Sequence, residues 1–360
     1  MEYREIIEQR LGELDLSELE SVFEESGTYG SEIFGDITVG GIVDNFLNGE
    51  PLFDTGAIIT GIKDLFLYEM KSALILGVEI VTISIIIGLL KSMASSMGEK
   101  AVSNLGMVVS TCFIIGLCLN NFTITFQMCR DTINTMTYTM QILLPILIPL
   151  LIAIGGITSG SILNPVIMGA ITAINTILSN FILPAVFVST IFFMVNSMTE
   201  KDYVNKLAIF IRGAATFACG ICVTFFTGIT AIQGFVTESA DGILVNTARF
   251  SINNFVPIVG GFAADSVDMV LSCIGLIKNG ISIFGVIIIL ALLAVPLIKM
   301  LVIAVIYKIT AIVTEPLGNK QTSECLNQMG NSVITMAVIL FLTSLMFLIF
   351  ITIIIGIGGQ

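Results

Sequence analysis

The groups in this chain best placed to do chemistry are a few charges set inside apolar sequence. Glu79 falls in the middle of one apolar run, Arg212 near the end of another, and Lys299 three residues after Pro296. Ionisable groups at membrane depth mark ion paths, relays or paired charges, because an isolated charge in hydrocarbon is costly. Glu79 and Arg212 could be linked as a structural pair or serve transport, and Arg212 could equally reach the interface along its own apolar stem. Lys299 is expected to turn toward water or the interface.

The densest constellation is Asn253, Asn254, Pro257, Gly260 and Gly261, followed by Asp265, Asp268 and Lys278. Pro257 removes a backbone donor, the glycine pair lets chains approach closely, and the carboxylates need water, a cation or Lys278. Two readings stay open: a pore-lining or gating element, or an amphipathic segment at the membrane surface with its charges in water. Pro145, Pro184 and Pro296 interrupt other apolar runs and are candidates for the same pore, gate or interface. Non-helical backbone at membrane depth survives only inside protein or beside water, so such segments should meet at a cavity or a subunit interface. Gly275, Gly280 and Gly285 suit close helix packing.

Several chemistries are closed off. With no histidine there is no Ser-His-Asp triad, no Cys-His pair and no imidazole metal site. Cys219 and Cys222 have redox spacing but lie in a membrane run, where small packing residues are the plainer reading. No Walker loop and no dinucleotide-binding glycine fingerprint occurs. The expectation is a protein that is not an enzyme and carries no catalytic residue, cofactor or metal.

The elements that hold these residues follow from composition. Of 360 residues 55% are hydrophobic and only 12% charged, half the charge density of a soluble domain, so the bilayer is the expected solvent. Residues 1–54 contain 14 acidic residues against Arg4 and Arg10, which accounts for the whole net charge of −12. An acidic head of this kind repels nucleic acid, so none is expected as a partner. Within the head, Asp15 and Glu18 resemble a capping box before Leu16, Leu19, Val22 and Phe23 at helical spacing, and Ile42, Val43, Phe46 and Leu47 form a second amphipathic stretch. Two such helices bury little alone, so they dock on the membrane body, a partner or a second copy, or else form a solvated tail. Met1-Glu-Tyr-Arg-Glu carries neither a basic start nor an apolar run of a secretory signal.

The clearest membrane-spanning runs are 72–90, 105–126, 207–233, 286–306 and 332–355. The fold class expected is an all-α polytopic integral membrane protein, with an acidic head over 1–62 and a membrane domain over 63–360. That domain divides into a hairpin 72–126, a broken segment 132–180, a hairpin 181–233, a broken segment 245–285 and a hairpin 286–355. Each broken segment is either a re-entrant pair of half-helices or two full crossings. An internal repeat supports the division: Ile133-Asn134-Thr135 recurs as Val245-Asn246-Thr247, Leu144-Pro145-Ile146 as Val256-Pro257-Ile258, and Leu183-Pro184 as Val295-Pro296, each 112 positions on. The hairpin loops carry Lys91 and Lys100, Lys201 and Lys206, and Lys308 and Lys320, which places them in the cytoplasm and the head on the far side.

The stretch Arg249-Phe-Ser-Ile-Asn-Asn-Phe-Val-Pro-Ile-Val-Gly-Gly-Phe-Ala-Ala-Asp-Ser-Val-Asp, continued by Ile277-Lys-Asn-Gly-Ile-Ser-Ile-Phe-Gly, resembles the signature of the stage III sporulation protein AE family. The acidic Leu14-Asp-Leu-Ser-Glu-Leu-Glu head and the spacing of the runs are similar too, so the resemblance covers nearly the whole chain. It implies a component of the mother cell-to-forespore channel of endospore formers, in the mother-cell membrane around the forespore. Its implied partners are the lipid bilayer, ring-forming membrane proteins and an operon-encoded ATPase, and a homo-oligomer is expected. Family members usually begin with a cleavable signal, so this chain resembles the mature form with its head in the intermembrane space. The alternative from residue chemistry alone is an autonomous secondary transporter of a small solute.

Overall fold

A chain this apolar can satisfy its backbone in a bilayer only by closing every hydrogen bond within its own segments, and the outcome is helical throughout the described residues. The computed structural model describes residues 7, 11–12, 14–25, 38–48, 50–51, 55–96, 100–154, 157–198, 203–255, 260–317 and 320–356. Two short helices, α1 (Ser17–Glu25) and α2 (Val39–Asn48), precede the long ones. These are α3 (Thr55–Ser96), α4 (Lys100–Ala153), α5 (Ile157–Ile177), α6 (Leu183–Ser197), α7 (Asn205–Phe255), α8 (Gly260–Thr314) and α9 (Lys320–Gly356). A π-helical turn, Leu178–Ile182, joins α5 to α6 without a break, and a 3₁₀ turn, Glu315–Leu317, follows α8.

Among the described residues five helices are long and apolar enough to cross a membrane: Cys112–Ala153, Val166–Ser197, Asn205–Ile232, Leu271–Thr314 and Lys320–Gly356. The run at 72–90 lies within α3, which starts at Thr55 and so carries the boundary between residues 62 and 63 inside a continuous helix. At 1.5 Å of rise per residue the 54 residues of α4 and the 55 of α8 extend to roughly 80 Å, well beyond a hydrocarbon core of about 30 Å.

Helices adjacent in sequence pack on one another, α3 with α4, α4 with α5, α5–α6 with α7, and α8 with α9, and α8 also packs along α3 and α4. Gly77 of α3 lies against Ile306 and Thr310 of α8, and Arg212 of α7 against Gln328 of α9, so the C-terminal ends of α3 and α8 and the N-terminal ends of α7 and α9 share one end of the bundle. Lys91, Lys206, Lys308 and Lys320 lie near those ends. The centre is α8, where Ile287, Ile288 and Ile289 are buried in succession, so that this level of the helix is enclosed, while Leu301, Val305, Ile309 and Ile312 further on form an exposed apolar stripe.

The head docks on this body. In α1, Leu19, Val22 and Phe23 are buried, with the Phe23 ring 5.6 Å from that of Phe284. Thr38 caps α2 by accepting the Gly41 N–H on its hydroxyl at 3.2 Å. The Asp15 carboxylate accepts both the hydroxyl and the backbone N–H of Ser17, which holds its pKa below the usual range; the bond goes to Ser17 rather than to a box with Glu18. A Cβ placed on Gly280 would lie 2.6 Å from Val43 Cγ2 of α2. Gly280→Val is therefore expected to unseat the head, at the roughly 1–3 kcal/mol typical of overpacking, and to expose α2 to limited proteolysis while the membrane helices stay resistant. Head cleavage at the wild-type rate would refute this docking.

Candidate functional site

The charges that stand out in the sequence take separate partners in the structure. Arg212 donates to the Gln328 side-chain oxygen at 3.1 Å and to the Gln328 carbonyl at 3.4 Å, with its guanidinium 4.8 Å over the Phe193 ring. A planar fork can meet both acceptors while stacking on an aromatic face. Glu79 is exposed on α3 and forms no ion pair with Arg212. Lys299 reaches Glu69 of α3 at 3.9 Å, a pairing of a half-exposed ammonium with a nearly buried carboxylate that the sequence reading missed. The two are 230 positions apart and meet because α3 packs along α8.

Lys278 is buried, at 1% exposure. Its ammonium donates to the Ile354 carbonyl at 3.1 Å and the Ile355 carbonyl at 3.3 Å, in the last turn of α9. The last four carbonyls of a helix lack intrahelical donors and carry the negative end of the dipole, so Lys278 acts as a cap supplied by a neighbouring helix. Asn253 and Asn254 fall in the last turn of α7, Gly260 and Gly261 open α8, and Asp265 and Asp268 follow in its first turns. The side chains of these residues, and the whole of Pro257, lie outside the described residues.

The prolines do not break their helices. Pro145 lies inside α4, exposed, with Pro149 one turn on, and Pro296 lies buried inside α8. Each leaves the carbonyl four residues earlier without its helical donor. Pro184 sits in the first turn of α6, just after the π turn; there the Leu183 N–H donates to the Leu178 carbonyl, five residues back. The widened turn absorbs the missing N–H of Pro184 and continues the helix.

That turn also points side chains at α4. Arg130 donates to the Asn180 side-chain oxygen at 3.3 Å, Ser179 donates to Asn134 at 3.1 Å, and Asn175 donates to the same Asn134 oxygen at 3.4 Å. One step further, Gln141 donates to the Thr172 hydroxyl at 3.4 Å. These bonds tie α4 to α5 as an antiparallel pair through the segment 132–180, and they make a polar ladder inside two apolar spans. Arg130, Asn134, Thr172 and Asn180 are nonetheless exposed on the molecular surface. Of this ladder the sequence reading singled out Asn134, within a repeat motif. The remaining signal was polar residues three or four apart in each of two apolar runs.

A family model described as Stage III sporulation protein AE matches residues 37–358. Stage III sporulation protein AE of Bacillus subtilis (strain 168) is 31% identical over 320 residues, covering 89% of this chain and 80% of that protein. No solved structure matches.

Proposed function

The chain belongs to the stage III sporulation protein AE family, and from that premise we propose that it is a membrane component of the channel joining mother cell to forespore in endospore formation. It acts by assembling with other proteins, ring-forming membrane subunits, a cytoplasmic ATPase and further copies of itself among them, and performs no catalytic step. The observation that carries this reading is the family match across 37–358, a stretch that includes all five membrane-spanning candidates. The exposed polar ladder between α4 and α5 adds support, since a membrane protein that works alone has reason to bury such a face.

Orientation follows from charge. Lysines flank the three turns at one end of the bundle, and the positive-inside rule assigns that end to the mother-cell cytoplasm. The head docks near residues 280–284 of α8, some thirty residues from the turn at Glu315, and so belongs on the opposite side, in the intermembrane space. A solute transporter working alone is the competing reading, favoured by the Lys299–Glu69 pair beside Pro296.

Deletion of the gene in a sporulating host separates the two. The expected result is completed engulfment followed by failure of late forespore gene expression and shrinkage of the forespore, scored by microscopy and a reporter. Normal sporulation would overturn the channel reading, and ion-coupled solute uptake by the purified chain in liposomes would replace it with the transporter.

A further inference from the structure

We propose that the hydrogen-bonded face shared by α4, α5 and the π turn is the wall of a water-filled path at membrane depth. The inference rests on the channel reading only for what the path is used for, because the geometry that argues for water is independent of it.

Depth comes first. Ser189 donates its hydroxyl to the Ala208 carbonyl at 2.7 Å, which fixes the level of α6 against the antiparallel α7. Counting along each helix from that bond, residues 172–180 stand level with residues 217–225, roughly 14–26 Å from the bond at 1.5 Å per residue. On α7 that level is occupied by Phe217, Ile221 and Phe225, 72%, 53% and 65% exposed, in a span apolar enough to cross the membrane. Such a surface belongs against lipid tails. At the same level the exposed surface of the α4–α5 pair carries Arg130, Asn134, Thr172, Thr176 and Asn180 in one line, with exposed Ile177 and Phe181 beside it on α5 and the π turn.

Those groups are ordered but not exhausted by one another. Among the described residues the guanidinium of Arg130 has one hydrogen bond, to Asn180, and a guanidinium has five donors. Asp131 beside it is also exposed. Toward the α4 terminus the same line of the helix, stepping by three or four from Asn134 through Tyr138 and Gln141, reaches Pro145 and Pro149. Those prolines free the carbonyls of Gln141 and Pro145 from their helical donors. Donors, acceptors and a fixed charge in a continuous line require water along it, since hydrocarbon supplies no partners. The π turn fits the same use, for it sets Ser179 and Asn180 toward α4, and such turns recur at functional positions.

The test uses the full chain in membranes, with exposed Cys112 and partly buried Cys222 replaced by alanine. Single cysteines are introduced as Asn134→Cys and Thr176→Cys on the ladder, and as Ile221→Cys and Phe225→Cys at the same level on α7. Labelling rates are measured with a charged, membrane-impermeant methanethiosulfonate. The reagent reacts with thiolate, which forms readily in water and not in hydrocarbon, so the ladder positions should react on the order of a hundredfold faster than the α7 positions. Thr176 bonds only within its own helix, to the Thr172 carbonyl, so its variant keeps the fold if Asn134→Cys disturbs it. Slow labelling at all four positions would overturn the inference and assign the face to a lipid or protein cover such as a second copy. Fast labelling at all four would overturn it too, by placing this level outside the bilayer. The two readings separate as well. Fast ladder labelling with normal sporulation in the deletion strain keeps the water path and removes the channel role. Slow labelling with a failed forespore does the reverse.

Discussion

Lys278→Glu is expected to remove a large share of the fold's stability. The wild-type ammonium is 1% exposed and donates to two carbonyls at the end of α9, where the helix dipole is negative and the orphan acceptors need a donor. A glutamate there brings no donor at neutral pH and sets its own negative charge against the same carbonyls. Leaving a buried charge uncompensated costs about 3–5 kcal/mol, and net stabilities run only to about 5–15 kcal/mol. Lys278→Met separates charge from shape: it keeps an unbranched stem of similar length and loses the cap, at about 1–3 kcal/mol for unsatisfied acceptors. Thermal unfolding in detergent should therefore rank wild type above Met, and Met far above Glu, with the glutamate variant failing to accumulate in membranes. A glutamate variant that melts with wild type would remove the capping role.

How much of this was open to reading depends on whether the cause lies within one segment or between two. Apolar runs at 207–233 and 286–306 announce helices because length and composition are local, and α7 and α8 contain them. The lysines near 100, 201 and 320 announce turns for the same reason, and the helix breaks fall beside them. Within the segment 132–180 the helix changes between Ala153 and Ile157 and not at Pro145, because the rule against internal proline is written for helices that stand in water. Within a bundle, neighbouring helices and adjusted turns take up the freed groups, and α4 runs on to Ala153. The Pro184 segment differs only in that a π turn does the adjusting.

The polar ladder belongs to the other kind. Asn134, Asn175 and Ser179 read singly as tolerated polar residues; Ser179 donates locally to Asn175 at 3.1 Å, but nothing local joins either to Asn134. Their pairing depends on α4 ending at Ala153 and α5 starting at Ile157, which sets the antiparallel register that brings 134 to 175 and 179, and 141 to 172. Lys278 shows the same limit from the other side. Nothing in its own segment announces that its ammonium reaches carbonyls 76 and 77 positions away.

The second large effect is expected at a tight contact between α8 and α9. A Cβ on Gly330 would stand 3.2 Å from the Ala304 backbone oxygen, 3.2 Å from Lys308 Cγ and 3.5 Å from Tyr307 Cβ. Backbone cannot step aside as a side-chain tip can, so Gly330→Leu must push the two helices apart. In lipid such pairs are held by van der Waals packing between small residues, and separation forfeits it along the whole seam. The damage reaches α4 as well, because Tyr307 donates its hydroxyl to the Cys118 carbonyl and lies as close, at 3.3 Å, to the Asn121 side-chain oxygen. A loss at or above the roughly 1–3 kcal/mol of ordinary overpacking is expected. Gly228→Leu is the matched control, since a Cβ there meets nothing within 4 Å on the exposed side of α7. It carries the same chemical change and should leave the unfolding temperature unchanged or raised, because replacing a helix glycine recovers about 0.5–1 kcal/mol of propensity. Equal destabilisation at both positions would mean that the α8–α9 seam is no tighter than the lipid face, and the central place of α8 in the bundle would have to be given up with it.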